Sequence, residues 1–297
     1  MDIKKVLIVG SGTLGGQIGW QCATHGFETV MYDLSEKSLD ACRATHRALG
    51  EMFVSQRGKD QAYVDAAHAR LSYTTDLAAA CKDVDLISES VPENPKIKAE
   101  VYATLNKHCA PRTIFTTNTS TLLPSQFAEA TGRPARFVAL HFANEIWERN
   151  IGEVMGHPGT DPAIYERVAK FAVEIGMVPI RLGKEQNGYV VNTMLVPWLM
   201  AGQSLITNGV SSPEDVDKTW MISMKMLGPC AIMDMVGHET VYHIAAYWGE
   251  VNGDAQYKKN AEYVKTHFVD KNKLGMKTGE GYYKYPNPAY QKPEFLK

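Results

Sequence analysis

The sequence predicts an α/β fold: a doubly wound parallel sheet carrying an inserted helical hairpin, followed by an all-helical C-terminal domain. Three observations point there. Short β-branched runs alternate with helical patterns over the first 180 or so residues, the rhythm of βαβ units. A glycine-rich run follows the first of these strands directly. Strand signals then stop after Gly183-Lys184-Glu185-Gln186-Asn187-Gly188, and helical patterns dominate to about Val269. A polar, glycine-bounded joint suits a domain boundary, which divides the chain into residues 1–184 and 185–297.

The elements follow in order. Val6–Val9, then a helix from Leu14 to Thr24, then Thr29–Tyr32 form the first βαβ unit. Between Ser35 and Leu71 two helical patterns run without a strand, the first carrying Leu39, Cys42, His46, Leu49 and Phe53 on one side; this is the inserted hairpin. Further strands are expected at Leu86–Ser88, Thr113–Thr116, Arg136–Phe142, Glu153–Met155 and Val178–Arg181. The clearest helix start is Asp161-Pro162, where Asp caps and Pro fits the first helical position. Ile164, Val168, Phe171 and Ile175 line its buried face and Gly176 ends it. The uncharged stretch from Asn187 to Pro213 is broken by Asn192, Thr193, Pro197, Gln203 and Ser204, so it reads as a buried or subunit-contact helix, not a membrane span.

Gly10-Ser11-Gly12-Thr13-Leu14-Gly15 is a GxGxxG run. Such glycines allow a tight turn, close approach of backbone to a pyrophosphate, and close helix packing. The helix that follows presents unpaired N–H groups to the phosphates. Placed after KKVLIV and before a second strand, TVMYD, the run marks a Rossmann-type dinucleotide site. Asp33 ends that second strand 18 residues past Gly15, where a carboxylate accepts from an adenosine ribose and repels a 2′-phosphate, favouring NAD over NADP.

Composition narrows the partners. Thirty-one Lys and Arg against 33 Asp and Glu in 297 residues give a net charge of −2, too balanced to hold a polyanion. A small-molecule substrate is expected, with no nucleic acid and no membrane. Five widely spaced cysteines without a CxxC suit a reducing compartment, and the N-terminus lacks the apolar stretch of a signal peptide, so a cytoplasmic protein is expected. His238 and His243 are five residues apart, not four, so no metal site is expected.

His141 ends the apolar run Arg136–Phe142, and strand C-termini border the ligand crevice in a doubly wound sheet. An imidazole there can take an alcohol proton, although a satisfied structural histidine fits the same position. Glu153, twelve residues later in an apolar setting, could orient that imidazole, pair with Arg149, or sit on an edge strand. Asn118-Thr119-Ser120 could donate hydrogen bonds to a ligand or simply form a turn. Asn192 has substrate contact and helix-to-helix bonding equally open.

Taken together, VGSGTLGGQIG, SESVPENPKIK, TNTSTL, RFVALHFAN, GEVMGHP, NGYVVNTMLVPWLM and LGMKTGEGYYKY closely resemble the L-3-hydroxyacyl-CoA dehydrogenase family of fatty acid metabolism over nearly the whole chain. The resemblance implies NAD-dependent oxidation of the 3-hydroxyl of a short L-3-hydroxyacyl-CoA. It implies His141 as general base, Glu153 as its orienting carboxylate, and Ser120 and Asn192 as groups around the substrate oxygen. It further implies that Glu93, Lys98, Ser120 and Lys277 contact NAD, beside Gly10–Gly15 and Asp33, and that the helical domain forms a homodimer.

Two departures from the family pattern bear on the substrate. Where the family usually continues HFFNP after its histidine, this chain has His-Phe-Ala-Asn-Glu-Ile-Trp-Glu-Arg149, with Glu145 replacing proline. The hairpin positions where the family places a CoA-contacting serine and lysine fall on Leu49 and Gln56 in an ungapped count; Arg47, Arg57 or Lys59 could still meet a CoA phosphate. The hairpin carries five basic and four acidic residues from Asp40 to Arg70. Relatives that oxidise free hydroxy acids, such as gulonate or carnitine dehydrogenases, and crystallins without turnover are the alternatives.

Overall fold

A computed structural model describes residues 2–297, which divide into two compact units, 2–190 and 191–297. The first begins β1 (Lys5–Val9), α1 (Thr13–Thr24), β2 (Glu28–Tyr32), α2 (Glu36–Arg57), α3 (Gln61–His68), β3 (Leu71–Thr74) and α4 (Leu77–Ala80). It continues with β4 (Leu86–Glu89), α5 (Pro95–His108), β5 (Ile114–Thr117), β6 (Phe137–Phe142), β7 (Ile151–Met155), α6 (Pro162–Glu174) and β8 (Val178–Leu182). The eight strands form one sheet in the order β3-β2-β1-β4-β5-β6-β7-β8.

Central strands are buried on both faces. Along β1, Val6 and Ile8 join a core with Ile18, Val138 and Phe171, while Leu7 and Val9 join another with Ile87, Tyr102 and Phe115. This is the two-residue period of a strand covered by helices on each side. The inserted hairpin forms as expected: Ser35 caps α2, accepting from Ser38 N–H, and Gly58, at φ +65°, ends it in the left-handed conformation. Its apolar stripe packs Leu49 and Phe53 against Trp20 of α1 and Val64 of α3.

Three differences from the sequence reading have physical causes. β3 was not expected; its four residues, Leu-Ser-Tyr-Thr, are mostly half-buried on an edge strand and carry little periodic signal. The sheet is not wholly parallel, because β7 runs antiparallel to β6. Only residues 143–150 join them, too few for the crossover of a dozen or more residues that a parallel neighbour requires. Finally, residues 185–190 pack with the first unit instead of beginning the second. Tyr189 is buried against Ala139 and Met155, and Glu185 Oε1 accepts from Ser125 N–H at 2.7 Å.

The second unit is helical: α7 (Val191–Thr207), α8 (Pro213–Met224), α9 (Pro229–Val236), α10 (His238–Val251) and α11 (Ala255–His267). Asp217 and Asp234 organise it. Asp217 accepts from the N–H groups of Cys230 and Ala231 at the start of α9, and Asp234 from Tyr282 and Tyr283 N–H in the C-terminal segment. Among the described residues no helix is long and apolar enough to cross a membrane.

Candidate active site

Two constructions lie at the C-terminal ends of the strands in the first unit. One is a cleft of about 1080 Å³ over the loop between β1 and α1, bordered by Gly12, Thr13, Asp33, Leu77, Val101 and Trp147 among others. Gly10 adopts φ +99°, and a Cβ there would stand 2.6 Å from Ser90 O; a Cβ on Gly15 would overlap the Gly10 carbonyl. Gly12 is the N-cap of α1 and offers no side-chain cap, and a Cβ on it would meet nothing within 4 Å. The first N–H groups of α1 therefore lie uncapped beside an open cleft, a fit for a diphosphate. Asp33 stands at the tip of β2, its Oδ2 accepting from Ser11 N–H and Oγ, each at 2.9 Å, and its Oδ1 from Ser35 N–H at 3.1 Å. It thus braces the glycine loop while bordering the cleft where a ribose would lie. The donor set fits a dinucleotide with a free 2′-hydroxyl.

The other construction is a pair across β6 and β7. Antiparallel register sets His141 opposite Glu153, and directly opposed residues project from the same sheet face. His141 Nδ1 lies 2.8 Å from Glu153 Oε2, with the histidine 7% exposed and the glutamate fully buried. A carboxylate only accepts, so Nδ1 carries the hydrogen, and the neutral ring has its lone pair on Nε2. Glu153 Oε1 accepts from Val190 N–H at 2.8 Å. The alternatives for Glu153 do not hold: Arg149 pairs with Glu145 at 3.4 Å, and β7 is an interior strand flanked by β8.

A buried polar network underlies the loop after β5. Glu89, at the end of β4, accepts from Val91 N–H at 2.8 Å, Lys98 Nζ at 2.7 Å, Thr117 Oγ1 at 2.8 Å and the Tyr102 hydroxyl. Lys98, 1% exposed, also reaches Glu93 at 3.3 Å. Glu93 Oε1 accepts from the Thr119 hydroxyl, from Ser120 N–H at 3.1 Å and from Thr121 N–H at 3.3 Å. Burial acts to raise the Glu93 carboxyl, but the Lys98 ammonium and the hydroxyls of Thr119 and Thr121 outweigh it and hold the group below the usual carboxylate range. Glu93 and Lys98 are therefore built into the support of the Ser120 loop. Asn118 accepts from Phe142 N–H at 3.0 Å, tying that loop to β6 one residue past His141.

Asn192, near the start of α7, and Lys277, exposed on a short turn at Met276–Thr278, belong to the second unit. His238, set aside above as a metal ligand, lies buried against Phe268 with Nε2 on Asp234 Oδ1 at 2.7 Å.

Sequence reasoning missed Glu89, Gln17 and Tyr189. Gln17 Oε1 accepts from Glu145 N–H at 2.7 Å, holding the loop after His141 to α1. Tyr189 lays its ring against His141, with centroids 4.7 Å apart. Its phenol is pushed well up by burial and by the nearby carboxylates of Glu93 and Glu153. Glu89 alone gave a signal: like Asp33, it is an acid closing an apolar strand.

On the hairpin, Leu49 is buried and Gln56 exposed. Arg57 pairs with Glu148 and donates to Trp147 O at 3.1 Å, while Lys59 lies over the Tyr63 ring.

Comparison with known proteins identifies the family. The model for the NAD binding domain of 3-hydroxyacyl-CoA dehydrogenase matches residues 5–186, and that for its C-terminal domain matches residues 188–285. The chain is 31% identical over 289 residues to human mitochondrial hydroxyacyl-coenzyme A dehydrogenase, covering 95% of this chain and 91% of that one. Among solved structures, a diketoreductase described in dual catalysis of dicarbonyl compounds superimposes with a TM-score of 0.89 at 42% identity, over 96% of this chain and 100% of that one. The (S)-3-hydroxybutyryl-CoA dehydrogenase of Ralstonia eutropha gives 0.88 at 27% identity, with the same coverage.

Proposed function

Because the chain belongs to the 3-hydroxyacyl-CoA dehydrogenase family, NAD-dependent oxidoreductases acting on CH–OH groups, we propose that it oxidises the 3-hydroxyl of a short L-3-hydroxyacyl-CoA to the 3-oxoacyl-CoA, reversibly. The observation that carries this reading is the buried His141–Glu153 pair at the strand ends. NAD, when bound, supplies the hydride acceptor. His141 Nε2 takes the hydroxyl proton, and Glu153, already hydrogen-bonded at Nδ1, fixes the tautomer and stabilises the imidazolium. Ser120, on the loop after β5, orients the substrate oxygen. The uncapped start of α1 and Asp33 hold NAD, and Glu93 and Lys98 serve through the loop they brace.

A homodimer through the helical unit and a cytoplasmic setting complete the proposal. They are supported by the exposed Ile222, Met224 and Met226 at the end of α8 and by five cysteines that are all free.

A second reading, the same dyad acting on a free hydroxy or oxo acid, has specific support. Arg57 is already engaged by Glu148 and Trp147, and the neighbour at 42% identity is described as acting on dicarbonyl compounds, with no CoA ester named. The test follows NADH absorbance with acetoacetyl-CoA beside free acetoacetate and other 3-oxo acids at equal concentration. Turnover of the thioester at least about tenfold faster at low substrate is the expected outcome. Preference for a free acid overturns it in favour of the second reading.

A further inference from the structure

Tyr189 has a backbone conformation that its side chain disfavours. Its φ is +54°, directly after Gly188 at +76°. In this left-handed region Cβ crowds a neighbouring carbonyl oxygen, and a bulky residue stays there only when its surroundings over-determine it. The surroundings here are the face of the sheet that carries the dyad. Ala139 and His141 lie two apart on β6, Glu153 and Met155 two apart on β7, so all four project to one side. The Tyr189 ring, 1% exposed, packs on Ala139 and Met155 and lies tilted at 31° over the imidazole, with centroids 4.7 Å apart. The next residue, Val190, gives its N–H to Glu153 Oε1, the oxygen that His141 leaves unused.

We propose that Tyr189 is a positioning residue for the dyad: its left-handed turn lets one short segment back the imidazole with a ring and hold the carboxylate with the next amide. His141 has a soft torsion about its ring axis, and Glu153 another about its carboxyl group. The ring restrains the first and the Val190 amide the second. With both restrained, Nε2 has one direction in which to accept a proton, the condition for an efficient positioned base. An ordinary core aromatic needs no strained backbone, and the register of β6 and β7 alone leaves the outward face of the imidazole unsupported.

The proposal rests on the dyad being catalytic, so H141N is measured first. The full-length chain is then assayed with NAD and its best substrate as Y189L, which keeps bulk but loses the plane, and as Y189F, which keeps the plane. In Y189L, kcat is expected to fall about tenfold, with both KM values within about twofold of wild type. The downfield proton resonance of His141 Nδ1–H on Glu153 should broaden, and Y189F should recover both readouts. Y189M replaces Y189L if the latter does not fold. If H141N is inactive and Y189L keeps wild-type kcat, or if Y189F is impaired as much as Y189L with the resonance intact, the positioning role is wrong. If H141N keeps full turnover, the dyad reading fails and takes this one with it.

Discussion

His141 on the β6–β7 pair and His46 on the inserted hairpin are both buried imidazoles in the first unit, and their surroundings make them opposites. His46 is fully buried, with Nε2 on the Gly16 carbonyl at 2.8 Å and Nδ1 beside the Tyr73 hydroxyl at 2.7 Å. No carboxylate is among these partners, and burial drives its pKa down to about 4. His141 has a carboxylate on one nitrogen and presents the other at the strand ends. Burial alone therefore makes a neutral strut that fastens α2 to α1, and a base also requires a carboxylate partner and a free lone pair. His238 sharpens the lesson: its Nε2 is taken by Asp234, and its ring is stacked on Phe268 in the helical core.

The largest effect expected of this contrast is at His141. H141A should lower kcat by about 10³-fold, within the range for a positioned acid–base group, while the dissociation constant for NADH changes little. E153Q keeps the shape but loses the charge that stabilises the imidazolium, and a large loss of kcat is expected there too. H46A, by contrast, should leave kcat within a few-fold for the fraction that folds. Single-turnover kinetics on the three proteins check the order. Equal losses at His46 and His141 would dissolve the distinction.

Next in size is the pH dependence of stability. The folded pKa of His46, about 4, lies below the ordinary value near 6.5. Between these values the unfolded chain binds the proton and the folded chain does not. Stability is thus full above about pH 6.5 and falls as pH drops towards 4, by about 3 kcal/mol in all. Urea unfolding of wild type and H46A at pH 7, 5.5 and 4.5 isolates this part, because other titrating groups are common to both. The wild type should lose more stability than the variant on acidification. Parallel slopes would show that the folded chain takes up the proton at His46 as readily as the unfolded one.

How much of this could be read in the sequence depended on whether local pattern or long-range contact determined a feature. The glycine loop, Asp33 and the capped start of α6 are local, and each lies where the residues indicated. The dyad was an expectation only through the family resemblance, because spacing left Glu153 several settings and the antiparallel register that sets it opposite His141 was not foreseen. Glu89 closes an apolar strand as Asp33 does, but its role was hidden, since Lys98, Tyr102 and Thr117 converge on it from other elements. Tyr189 was not legible, because aromatic periodicity carries no information about a positive φ. Lys98 was expected on NAD through the resemblance alone, and nothing local indicated that α5 packs it between the carboxylates of Glu89 and Glu93.

The smallest expected effect concerns the contact between the two compared regions. Arg57, at the end of α2, pairs with Glu148 and donates to Trp147 O in the loop that follows His141, and Trp147 packs edge-on against Phe53 of the same helix. Glu148 is 59% exposed, and solvent-exposed ion pairs contribute under about 1 kcal/mol. R57A should therefore lower the thermal midpoint only slightly, and Gln17 keeps the loop on α1 through Glu145 N–H. Its informative readout is the substrate. If the hairpin cation is committed to Glu148, R57A leaves the KM for acetoacetyl-CoA within about twofold. If a CoA phosphate draws Arg57 away from Glu148, KM rises about tenfold with kcat retained, the signature of lost uniform binding, and E148A then lowers KM by freeing the guanidinium. The paired variants thus decide whether the hairpin serves only to fasten the loop beside His141 or also reads the carrier of the substrate.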